Sequence, residues 1–193
     1  MTEGAVDFNT DLLQFRDRRE GCMATSYSIW LLADRHWSDL LKGIIDALAD
    51  RFSAPRFDPH LTLLEGRPYD LDVLDRTLRS SASAPVTAPI ADLLTGEDYF
   101  RSFYALFEAA VPLVMLRRAI HASLPGAPAG EFMPHVSLLY GPVAPDAKAE
   151  AAAAYRRELK GRRVTFNRIA IVHSGGDVPI EDWREIAAVP LGR

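Results

Sequence analysis

The chain has 193 residues, 48% of them hydrophobic and 25% charged, with a formal net charge of -4. This is the profile of an ordinary folded protein of one domain or two small lobes, and it excludes a disordered, fibrous or disulfide-stapled chain. The acidic balance gives no field for gripping a long polyphosphate, so duplex nucleic acid is not an expected partner. Cys22 is the sole cysteine. It can form no intrachain disulfide and no thiolate zinc site, which suits a reducing, cytoplasmic setting.

The first 22 residues read as a polar extension with Met23 as an alternative start, because residues 1–20 carry five acidic residues and no apolar run of signal-peptide or membrane length. Tyr27 to Leu32 (YSIWLL) reads as a buried strand. Trp37, Leu40, Leu41, Ile44, Ile45, Leu48 and Phe52 then recur at steps of three and four, the stripe of a helix that lies on a sheet. HLTLLEG, 60–66, is a short strand. Asp70 is placed as the N-cap of a helix carrying Leu71, Leu74 and Leu78. Between 86 and 109 two strands are expected to meet at a Thr95-Gly96-Glu97-Asp98 turn. Pro112 suits the first turn of a helix through Leu124, ended by PGAPAG, since its missing N–H has no partner there. HVSLLYG is another strand, Pro145 opens an alanine-rich helix to about Lys160, and Gly161 stops it. VTFNRIAIVH and a last strand over 183–189 flank a turn at Ser174 to Asp177. Strands and helices alternate without the rhythm of a doubly wound sheet, so the expected class is α+β with mixed or antiparallel sheet.

The chemistry lies in a repeat. FDPHLTLLEG (57–66) and FMPHVSLLYG (132–141) agree at six of ten positions, in a chain with only five histidines. Side chains alternate along a strand, so His60 and Thr62 share one face while Leu61 and Leu63 take the other. His135 and Ser137 repeat that placement. Pro59 and Pro134 stand where a strand begins and no ladder donor is needed. Two imidazoles across a groove can divide acid and base work on one phosphodiester, with Thr62 and Ser137 holding its non-bridging oxygens and no metal required. Their ordinary pKa near 6.5 lets the neutral and charged forms coexist around neutrality, and a bell-shaped pH profile follows. His36, His121 and His173 are read as structural or solvated. Arg56, Arg67 and Arg101 are read as solvated, and Cys22 as inert.

The paired His-x-Thr/Ser motifs resemble those of the two-histidine (2H) phosphoesterase superfamily. YSIW, HLTLLEG, YFRSFYALF, HVSLLYG and a late tryptophan follow the order of its cyclic phosphodiesterase branch over about Tyr27 to Leu191. The resemblance implies one bilobal domain over 23–193, with two pseudo-symmetric lobes of mixed or antiparallel sheet and outer helices around a central cleft. It implies hydrolysis of a nucleoside 2′,3′-cyclic phosphate or of ADP-ribose 1″,2″-cyclic phosphate by a soluble monomer without cofactor, metal or membrane partner. His60 and His135 match its catalytic pair, and Thr62 and Ser137 its phosphate-holding hydroxyls. Which histidine is the base is left open. Tyr140 and Trp30 are implied to line the nucleobase end. Parity opposes this for Tyr140, five residues after His135, unless the strand ends before Gly141, and a buried strand suits Trp30 as core. Two rival readings are an RNA-end enzyme of the 2′-5′ ligase-like branch and a non-catalytic nucleotide-binding module.

Overall fold

A computed structural model describes residues 25–82, 84–124, 126–127 and 130–192. The expected extension to residue 22, with Cys22 and Met23, lies outside these. The chain writes a β-α-β-α-β unit twice. The first has β1 (Tyr27–Ala33), α1 (Arg35–Phe52), β2 (Leu61–Arg67), α2 (Leu71–Ser81) and β3 (Val86–Thr95). The second has β4 (Phe103–Phe107), α3 (Val111–Ala122), β5 (His135–Leu139), α4 (Pro145–Leu159) and β6 (Arg163–His173), followed by β7 (Arg184–Pro190).

Every strand pairing is antiparallel, in the order β1-β2-β5-β4-β3-β6-β7 with a further β1–β6 pairing. The two halves exchange their third strands. β6 joins β1 and β2, whereas β3 joins β4 and β5, which binds the repeats into one body. The halves meet again where Leu61 pairs with Val136. That contact sits at the centre of both motifs. In antiparallel register it brings His60 alongside Ser137 and Thr62 alongside His135.

Capping and periodicity set the helices as the sequence indicates. Asp34 and Asp70 accept from the backbone N–H groups of Trp37 and Val73, each at 3.0 Å. α1 packs against β5 and α3 against β2, each on the half opposite its own flanking strands. The main core gathers Leu41, Ile45, Leu61, Val136, Leu138 and Phe166 on the helix side of the sheet.

Four sequence expectations are corrected. Strand β2 begins at Leu61, so His60 stands just before the ladder. β3 and β4 do not meet in a tight turn, because a 3-10 turn at Tyr99–Arg101 intervenes. Leu124 lies beyond the end of α3, yet is buried. The last strand starts at Arg184 after a 3-10 turn at Ile180–Asp182, leaving Trp183 outside the ladder. Among the described residues, no helix is long and apolar enough to cross a membrane.

Candidate active site

Both motifs open into one cleft of about 720 Å³ that His60, Thr62, His135 and Ser137 line together. His60 Nδ1 lies 2.6 Å from the carbonyl oxygen of Asp58, and His135 Nδ1 lies 2.9 Å from that of Met133. A carbonyl oxygen only accepts, so each Nδ1 carries the proton and each Nε2 is the nitrogen left for the cleft. The identical reach, back over a proline to residue i−2, is the local geometry that the repeat encodes.

The surroundings differ. His60 is 8% exposed and stacks on Trp30, with ring centroids 3.6 Å apart and planes at 7°. The stack follows from register: Trp30 pairs with Thr62, making His60 its diagonal cross-strand neighbour. Phe57 and Trp183 meet His60 edge-on. This enclosure lowers the His60 pKa from 6.5 to about 4, mainly because burial penalises the cation, with His135 adding repulsion against a rise from the Asp58 carbonyl. His135 is half-buried, with Tyr104 edge-on at 5.4 Å. Its pKa is lowered too, first by burial, then by the charge of Arg101, against the Met133 carbonyl.

The hydroxyls also differ. Ser137 is buried and donates to the Phe100 carbonyl at 2.7 Å. That bond, with the Gly141 N–H donating to the Tyr99 carbonyl at 2.9 Å, ties the Tyr99–Arg101 turn over the cleft. Thr62 has no such bond among the described residues and remains partly open.

Tyr140 lines the cleft despite its parity. Strand β5 stops at Leu139 and Gly141 adopts φ +100°, so alternation no longer governs the ring. It stacks on Phe57 at 3.7 Å, and burial raises its pKa well above the usual phenol value. Trp30 is 6% exposed, but it belongs to a small cluster with Ala170 and Val172 on the cleft side, apart from the main core. The sequence reading missed Phe100 and Trp183, which complete this aromatic end. Their signal was faint, since both sit in irregular turns that strand periodicity does not reach. Arg101 reaches the cleft and pairs with Asp98, whereas Arg56 turns away to Asp46 and Asp50. His121 lines the cleft with its Nε2 2.9 Å from the Leu63 carbonyl, and His173 Nδ1 lies 3.1 Å from that of Ser26. Among the described residues, no group of three or more His, Cys, Asp or Glu converges as a metal cage.

The family model of the 2′-5′ RNA ligase superfamily matches residues 34–178, spanning both motifs. This chain belongs to that superfamily. As a member of the 2′-5′ RNA ligase superfamily, the two-histidine phosphoesterases, it is 25% identical over 171 residues to a cyclic phosphodiesterase of Arabidopsis thaliana, covering 86% of this chain and 94% of that protein. Solved structures share the superfamily fold. One is a phosphoesterase with TM-score 0.56 and 12% identity, covering 88% of this chain and 99% of the other. Another is LigT of E. coli in complex with 3′-AMP, with TM-score 0.53 and 11% identity over the same shares.

Proposed function

We propose that the protein hydrolyses small cyclic phosphodiesters, a nucleoside 2′,3′-cyclic phosphate or ADP-ribose 1″,2″-cyclic phosphate, to a monophosphate without a metal. One observation carries this reading: both Nδ1 atoms are tied to carbonyls two residues back, which frees two Nε2 atoms for a single cleft. One neutral Nε2 takes a proton from water as its oxygen bonds to phosphorus. The bond from phosphorus to one ribose oxygen breaks, and the other histidine, protonated, gives that oxygen its proton. Thr62 and Ser137 meet the non-bridging oxygens where charge builds. Phe100 and Trp183, backed by the buried rings of Trp30 and Tyr140, make an aromatic end of the cleft for a nucleobase.

The test is incubation with a panel of 2′,3′-cyclic nucleotides and ADP-ribose cyclic phosphate in EDTA, with the product isomer identified. Turnover to one monophosphate is expected, and a strict requirement for an added divalent ion would overturn the metal-free mechanism. An RNA oligomer ending in the same cyclic phosphate should be no better a substrate than a dinucleotide with that end, given the net charge of -4. With one histidine neutral and one charged, kcat/KM should follow a bell in pH. Both pKa values are lowered from 6.5, so its maximum should fall on the acid side of 6.5.

A further inference from the structure

The internal repeat makes the two ends of the cleft comparable position by position. Phe57 corresponds to Phe132, and Tyr140 to Glu65, each at the same distance from its own histidine. Antiparallel strands bring the start of one motif beside the end of the other. At one end Phe57 accordingly lies beneath Tyr140, ring on ring at 3.7 Å. At the other, the equivalent of that phenol is Glu65, which is exposed at the rim. The face of Phe132 is covered instead by the guanidinium of Arg117, from α3, 4.9 Å from the ring centroid. Where the repeat lays an aromatic ring over its phenylalanine at one end, it lays a cation at the other.

Arg117 is positioned rather than loose. One helical turn further along the same face of α3, His121 reaches the carbonyl of Leu63, the residue after Thr62, which fixes the helix against the motif strand. Of the two arginines that line the cleft, Arg101 is paired with Asp98. Arg117 has no carboxylate partner among the described residues. Glu65 and Glu131 stand exposed at this end, and neither pairs with it. An anion that fits must therefore seat inward of the rim, against the ring-backed guanidinium, whose planar fork matches phosphate oxygens two at a time.

We propose that Arg117, laid over Phe132, is a second anion subsite: it takes a phosphate group one ribose removed from the cyclic ester, so the favoured substrate carries two phosphates on the same sugar. This rests on the reading of the cleft as a phosphodiesterase site and narrows its substrate class. The aromatic end holds a planar base, the paired motifs hold the scissile ester, and Arg117 holds the outer phosphate. The chemistry is shared by a terminal 5′-phosphate and by a 5′-phosphodiester within a longer molecule.

The test compares kcat/KM for a nucleoside 2′,3′-cyclic phosphate bearing a 5′-hydroxyl, a 5′-phosphate, or a 5′-phosphodiester to a second nucleoside. Wild-type protein should favour at least one phosphorylated substrate over the hydroxyl by about tenfold or more, the usual size of a charge-assisted contact. A gain confined to the monoester identifies a terminal phosphate, and an equal gain with the diester identifies an internal one. Arg117→Gln should bring the ratio toward one, and Arg117→Lys should keep part of it. A wild-type ratio near one overturns the subsite, as does an equal loss on all three substrates in Arg117→Gln. Should no substrate turn over, the catalytic reading fails and the subsite is still decided by binding. A nucleoside 3′,5′-bisphosphate should then bind wild type about tenfold tighter than the 3′-monophosphate, with the difference erased in Arg117→Gln.

Discussion

The two motifs are near copies in sequence, and the structure treats them unequally. Each histidine leans its Nδ1 on the carbonyl two residues back. His60, however, is sealed between Trp30, Phe57 and Trp183, while His135 faces a more open part of the cleft beside Tyr104 and Arg101. The repeat thus fixes which nitrogen is left for the cleft, and what surrounds it fixes the cost of charging that nitrogen. If the rings divide acid and base roles, neither can replace the other. His60→Ala and His135→Ala should each reduce kcat by about 10³-fold or more, within the range for a positioned acid or base. Circular dichroism should remain native. Full activity in either variant would dismiss the two-histidine mechanism.

The difference in burial has its own test in stability. A histidine whose pKa is lowered by folding favours the neutral native state. Its contribution is complete above the unfolded value of 6.5 and is lost as pH falls toward the folded value of about 4. For His60 that window amounts to about 3 kcal/mol, at about 1.4 kcal/mol per unit. Denaturant unfolding of wild type should weaken between those pH values. His60→Gln should flatten the decline, and His135→Gln should flatten it less, because His135 is only half-buried. Equal slopes for the two variants would mean that the enclosures are alike.

What was legible in the sequence divides along similar lines. Alternation in HLTLLEG and HVSLLYG, the stripes of α1 and α3, and the prolines at 112 and 145 place the strands, the helices and the shared face of the four motif side chains. These are local signals with a fixed period. The pairing of β3 with β4 was legible as two neighbouring strands, but that of β6 with β1 and β3 was not, because it depends on which edges meet across more than seventy residues. The Tyr99–Arg101 turn and Trp183 were missed for a related reason: irregular backbone has no period. Tyr140 illustrates the limit, since the parity rule is sound and fails only because the ladder stops one residue earlier, at Leu139.

The hydroxyls should differ less than the histidines, and in a definite direction. Thr62 has its proton free for a substrate oxygen, with no competing acceptor among the described residues. Ser137 already donates to the Phe100 carbonyl at 2.7 Å and must give up that bond to serve a phosphate. The net gain from Ser137 is then the difference between two hydrogen bonds, whereas Thr62 contributes a whole one. Thr62→Val, which keeps the shape and removes the donor, should lower kcat by about 10²-fold, as the loss of one transition-state donor does. Ser137→Ala should lower it by about tenfold or less, and should also raise KM, because the freed Phe100 carbonyl loosens the turn that carries Tyr99 and Phe100 over the cleft. A larger kcat loss for Ser137→Ala than for Thr62→Val would reverse the order. It would mean that the serine exchanges its partner at no cost and that the two hydroxyls are functional twins after all.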